Sequence, residues 1–185
     1  MRLTAALVLL VCGAAPSALA EERGSRARVS ANGLYSVRTV DVGVGKCRLE
    51  MLKENGPLWA ADVCVGTVDD LYFASNDGEK VWVLYPLVEK GKPLPSKSKK
   101  KKRGVDLSWA RVMVAAQFDR TGQKLQERRL TELMTTRQLP EVRQMAHHLK
   151  WLEGTLGIPG KGPRLTDAGM LEFEPVGVQT QRLTF

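Results

Sequence analysis

Residues 90 to 104 read KGKPLPSKSKKKKRG, and eight of these fifteen side chains are basic: Lys90, Lys92, Lys97, Lys99, Lys100, Lys101, Lys102 and Arg103. Cationic groups at this density bind polyanions by releasing condensed counterions, an attraction that falls steeply with salt and carries little sequence preference. Anionic lipid head groups offer the same chemistry, at about 1 kcal/mol per basic residue near the membrane. The interruptions are Gly, Pro, Ser and a single Leu. Mutual repulsion and the lack of apolar side chains predict a disordered basic loop over 90–104.

The rest of the chain does not share this charge. Of 28 basic residues, setting aside these eight and Arg2 leaves 19, against 20 acidic residues. The pI of 9.6 therefore belongs to one stretch. A basic face built into a fold would instead scatter lysines and arginines along several elements.

Two other residue sets could do chemistry, and the compartment decides how they read. MRLTAALVLLVCGAAPSALA carries Arg2, an apolar run from Leu3 to Val11, a break at Gly13 and Pro16, and small residues at Ala18 and Ala20. That order is the secretory signal pattern, with cleavage expected after Ala20. The apolar run falls short of the roughly 20 residues a transmembrane helix needs, and no later segment comes close. Cys12 raises the alternative of an acylated lipoprotein cysteine, but Val11 stands where such signals resemble one another in having Gly or Ala. The expectation is a signal peptide over 1–20 and an exported chain over 21–185, periplasmic, outer-membrane-associated or extracellular. Export argues against nuclear import and nucleic acid as the use of KKKKR. None of the Asn residues sits in a glycosylation sequon, which favours a bacterial source.

In an oxidising compartment the remaining cysteines, Cys47 and Cys64, form an even pair and predict a disulfide. GKCRLEMLKENGPLWAADVCVG resembles two strands turning at Asn55-Gly56. With those two as turn residues, facing positions sum to 111, which sets Cys47 opposite Cys64. Alternation makes them a non-hydrogen-bonded pair, whose Cα atoms lie about 4.5 Å apart, within disulfide reach. Pro57 cannot donate the bond that closes a two-residue turn, and a longer turn shifts the register by one.

The elements around these residues read as strands. Gly33, Gly56 and Gly78 follow Asn or Asp at intervals of 23 and 22, in SANGLY, KENGPL and SNDGEK, with LYSVRTVDVGV, DLYFAS and KVWVLYPL between. Such runs and turns describe an antiparallel meander. The motifs are similar to turns in β-propeller blades, but at least four blades of about 40 residues exceed this chain. Further hairpins are expected at Thr121-Gly122 and within RLTDAGMLEFEPVGVQTQRLTF. The total is roughly six to nine strands.

One amphipathic helix is predicted within LPEVRQMAHHLKWLEGTLG. Val142, Met145, Ala146, Leu149, Leu152 and Leu156 fall at helical spacing, Pro140 suits a first helical position and Gly157 a stop. The fold class is mainly β, α+β, a single β-rich domain of an antiparallel meander with this covering helix.

No catalytic or cofactor site emerges. His147 and His148, the only histidines, would point about 100° apart on a helix and could not share a metal. There is no G-x-S-x-G elbow, although triads assemble from distant positions. GTLGIPGKGP lacks the Ser or Thr and the strand context of a phosphate loop. The C-terminal QRLTF departs from outer-membrane barrel alternation at Gln181 and Gln179. Neither catalytic residues, metal ligands nor cofactors are expected. The function indicated is an exported, non-catalytic cell-envelope binding or structural protein with a protein partner, whose basic loop contacts anionic lipid, polysaccharide or an acidic partner. Alternatives are an enzyme acting on an envelope polymer through a loop-built site, and an accessory subunit of an envelope machine for secretion, surface assembly or motility.

Overall fold

The computed structural model describes residues 23–25, 27–54, 56–89, 107–154 and 162–185. The expected signal segment over 1–20, the basic stretch 90–104, Asn55, Leu156 and Gly157 lie outside the described residues.

Strands β1 (Arg23–Gly24), β2 (Arg28–Val29), β3 (Tyr35–Gly43), β4 (Lys46–Lys53) and β5 (Gly56–Ala61) come first, then β6 (Leu71–Ala74), β7 (Lys80–Leu84) and β8 (Leu87–Glu89). After the basic stretch come a 3₁₀ turn at Ser108–Ala110, β9 (Met113–Asp119), β10 (Lys124–Arg129), a four-residue helix α1 (Leu130–Leu133), a second 3₁₀ turn at Leu139–Glu141, β11 (Arg143–Gln144) and β12 (His148–Lys150). The chain ends with β13 (Arg164–Leu165), β14 (Leu171–Phe173) and β15 (Gln181–Leu183). Seven of these strands are four residues or longer.

The protein is mostly β with antiparallel pairing, as its alternating runs require. The expected single meander is instead divided among four small sheets: β1 and β2 on β3, followed by β4 and β5; β10-β9-β7-β6; β11-β12-β8; and β13-β14-β15. The division follows from burial. The second sheet is central, and its strand KVWVL is apolar on both faces, a continuous run that a one-sided meander would not tolerate. Val81 and Val83 join Val37, Leu49, Met51 and Phe118 in a cluster toward the first sheet. Trp82 and Leu84 join Trp151, Leu171 and Phe173 in a second cluster toward the two smaller sheets. There Trp151 and Phe173 pack edge to face, ring centroids 5.7 Å apart.

Four turns share one frame. Gly33, Gly78, Gly122 and Gly169 have φ of 76, 73, 80 and 77°, where a Cβ would be strained. Each donates its N–H to the residue three positions earlier, Ser30, Ser75, Asp119 or Thr166, at 3.0, 3.2, 3.0 and 2.8 Å. The Thr121-Gly122 hairpin thus forms between β9 and β10. Gly56 is not among the left-handed glycines, so the 22-residue spacing read from Gly33, Gly56 and Gly78 mixes unlike turns.

The expected covering helix is absent, and its sequence forms a 3₁₀ turn and a hairpin. β11 pairs with β12, and β12 with β8. Met145, assigned to the buried stripe, is 54 % exposed, while Trp151, outside it, is fully buried with Leu149 and Leu152. Two observations explain the error. Leu149 and Trp151 are two residues apart, as a strand requires, and the Trp151 indole N–H donates to the Tyr85 carbonyl at 2.6 Å. Pro140 does start a turn, at Leu139–Glu141, but it does not propagate.

The β4–β5 register also needs correction. Leu49 faces Ala61 and Met51 faces Trp59, but past an irregularity Leu52 faces Pro57 and Lys53 faces Gly56. The turn therefore begins at Glu54, left-handed at φ 49°, one position before the expected start. A turn at Asn55-Gly56 would have set Pro57, which has no N–H, at the closing position.

Candidate functional site

The Cys47–Cys64 disulfide forms, with Cα atoms 4.8 Å apart. Cys64 lies beyond the end of β5, so the bond extends the hairpin past its ladder. It anchors the segment that follows, in which Val65 is buried and Thr67 begins a turn ending at Asp70.

That turn forms one wall of a groove. Asp70 Oδ2 accepts from the Thr67 N–H at 2.7 Å and from Thr67 Oγ1 at 2.9 Å. The Tyr72 hydroxyl donates to the Thr67 carbonyl at 2.8 Å and the Tyr85 hydroxyl to the Val65 carbonyl at 2.7 Å. All of this closes over Gly66, where a Cβ would lie 2.8 Å from the Tyr72 hydroxyl and 2.9 Å from Asp70 Oδ2. Burial pushes the Asp70 carboxyl above its ordinary value, against the pull of the Thr67 bonds. Burial, with Asp70 as a charged neighbour, likewise raises both tyrosines. The groove measures 360 Å³ and is completed by Leu87, Val88 and Glu89 of β8 and by Val112 and Met113.

The basic stretch begins where this groove ends. Glu89 is the last residue of β8, and Lys90 follows. The chain is next described at Leu107. Val88, Leu107 and Ala110 belong to one apolar cluster, so both flanks of the stretch are rooted in the same core. Lys90, Lys92, Lys97, Lys99, Lys100, Lys101, Lys102 and Arg103 themselves lie outside the described residues.

The histidines are on the surface instead of on a helix. His147 occupies the β11–β12 turn, closed by the Met145 N–H donating to the His148 carbonyl at 2.8 Å. His148 faces Glu89 across the β12–β8 pair, and both are exposed. Among the described residues no group of three or more His, Cys, Asp or Glu could hold a metal. No helix of the described residues is long and apolar enough to cross a membrane.

Sequence reading missed the groove, because Thr67 and Asp70, Tyr85 to Glu89, and Val112 and Met113 are three separate stretches that meet only through the β6–β7 and β7–β9 pairings. The one local signal was the T-x-x-D spacing of Thr67 and Asp70, a common turn motif. Comparison of the chain with protein-family models, curated proteins and solved structures finds no match to any of them.

Proposed function

We propose that this is an exported, non-catalytic binding or structural protein of the cell envelope, in which a compact β scaffold holds a polybasic segment out to an anionic surface, lipid, polysaccharide or an acidic partner. The observation that carries this reading is the confinement of the positive charge. Eight basic residues lie between Lys90 and Arg103, and the flanks, Val88 and Leu107 with Ala110, are fixed in one core cluster. Such an attachment keeps a cationic segment near the fold at both ends while the remainder of the chain is close to neutral. The disulfide supports the exported compartment.

The chemistry of the described residues favours binding over an enzyme acting on an envelope polymer. The two histidines are exposed on a hairpin, and Glu89, the cross-strand neighbour of His148, is exposed as well. The intact protein is expected to be retained on an anionic matrix at low salt and released as salt rises. A variant with Lys99 to Arg103 replaced by Ser and Gly should pass through while melting at the same temperature. Equal retention of the two proteins would end the proposal.

A further inference from the structure

Asn32-Gly33 carries chemistry of its own. A glycine nitrogen, unshielded by any Cβ, attacks the side-chain amide carbon of a preceding asparagine once it has lost its proton to a solvent base. The new bond closes a five-membered succinimide, and the Cγ–Nδ2 bond breaks as the side-chain nitrogen leaves as ammonia. Water then opens the ring at either carbonyl, giving aspartate or isoaspartate. No oxidant, reductant or other co-reactant is consumed. Asn32 and Gly33 are both exposed, and the space that a Cβ on Gly33 would fill is open, so solvent reaches the reacting atoms.

What restrains the reaction is a clasp between two turns. The turn from Ser30 to Gly33 leads into β3, and the turn from Ser75 to Gly78 joins β6 to β7. Asn32 spans them twice, its N–H donating to Asn76 Oδ1 at 3.0 Å and its Nδ2 to the Asn76 carbonyl at 2.8 Å. Within its own turn, Asn32 Oδ1 accepts from Ser30 Oγ at 2.7 Å, and the Gly33 N–H donates to the Ser30 carbonyl at 3.0 Å. Two of these bonds must open before the ring can close. Gly33 cannot lose its proton without releasing Ser30, and Nδ2 cannot leave without releasing Asn76.

We propose that Asn32-Gly33 is a spontaneous deamidation site held closed by the Asn32–Asn76 clasp, and that its conversion unlocks the two turns irreversibly. In the aspartate product an oxygen stands where Nδ2 stood and faces the Asn76 carbonyl, which exchanges a hydrogen bond for repulsion between two acceptors. Isoaspartate also lengthens the main chain by one carbon, so the Ser30–Gly33 frame is lost with the clasp. β2 and β3 belong to the first sheet, and β6 and β7 to the central one. The modification therefore loosens the joint between these two sheets. The polybasic stretch plays no part in this chemistry.

The test follows the mass gain of acid over amide in the tryptic peptide 29–38 after the protein is held at mildly alkaline pH, either folded or in guanidinium chloride. Conversion of the folded parent should be at least about tenfold slower than that of the unfolded chain, the scale of two hydrogen bonds that must open together. N76A and S30A, each confirmed by thermal melting to be folded at the incubation temperature, remove one contact with Asn32. Each should raise the folded rate about threefold or more and leave the unfolded rate unchanged. N32D, which supplies the aspartate product directly, should melt below the parent, with amide exchange accelerated over residues 30–35 and 75–80. Equal rates in the folded and unfolded parent would overturn the proposal. So would a folded rate that neither N76A nor S30A changes, or an N32D protein that matches the parent in melting and exchange.

Discussion

Replacing both cysteines, C47A/C64A, tests what the disulfide contributes to the scaffold. The bond spans a separation of 17 residues, and in the chain-entropy account a loop of this size constrains the unfolded chain by about 3 kcal/mol at room temperature. Little else should be lost, because Cys64 is exposed and Cys47 only half buried, so the cavity left by alanine is small. For a domain of this length, 1 kcal/mol corresponds to roughly 2–4 °C in melting temperature. The double variant should therefore melt about 6–12 °C lower than the oxidised protein. Equilibrium urea unfolding of the oxidised protein and the double variant measures the difference directly. Because the bond also anchors the turn from Thr67 to Asp70, amide exchange there should accelerate more than in β7, whose residues are buried on both faces. A loss below about 1 kcal/mol, or uniform acceleration across the molecule, would refute the assignment of this bond as the anchor of the groove wall.

Two further predictions follow from the turns and the carboxylates. Gly78 has φ of 73°, and a Cβ there would lie 2.6 Å from the Tyr35 ring, so G78A should destabilise by more than the roughly 1 kcal/mol of a strained left-handed residue; thermal melts of G78A beside G33A, which has the same backbone conformation and open space around an added Cβ, check it. The acid limb of the stability curve should carry opposite contributions from two carboxyls. Glu172 is held below its ordinary value by hydrogen bonds from Arg164 and then Arg182, so its contribution is present above the unfolded pKa and lost as pH falls through the folded one. Asp70 is raised by burial, so its charged form opposes folding, and stability is lost as pH rises from the unfolded value through the folded one. E172Q should therefore flatten the acid limb, whereas the stability of D70N relative to the parent should increase with pH over the acid range, from the unfolded carboxyl value upward through the raised folded one. Denaturant midpoints measured across that range decide both.

The local chemistry of this fold is legible in its sequence where short-range geometry decides the outcome. Asp119 to Gly122 forms a hairpin because a left-handed glycine follows a side chain that accepts from the Thr121 and Gln123 N–H groups. The cysteine pair is legible for a related reason, since two strands joined by a short turn bring their far ends together, although with the turn one position earlier than expected Cys47 and Cys64 are not equidistant from it. Where two periods compete, the sequence misleads. HLKWL lies within a run that satisfies both a helical stripe and a two-residue alternation, and the contest is settled by partners far away, Tyr85 for the Trp151 indole and Glu89 to Leu87 for the backbone of β12. The groove was invisible on the same ground. Asp70 reads as one of two adjacent aspartates in a loop, and only its position over Gly66, against Tyr72 and Tyr85, gives it a desolvated carboxyl. The polybasic stretch is evident from composition alone, and it lies outside the described residues.

The central proposal, that this β scaffold presents a cationic segment to an anionic surface, is tested most directly by partition of the protein onto vesicles of zwitterionic lipid doped with anionic lipid, at low and physiological salt. Lys99 to Arg103 are five basic residues, and at about 1 kcal/mol each their replacement by Ser and Gly should weaken binding at low salt by up to roughly three to four orders of magnitude. Binding of the parent should also fall steeply as salt rises. Partition that is indifferent to salt, or that changes less than about threefold on removing those five charges, would contradict the account.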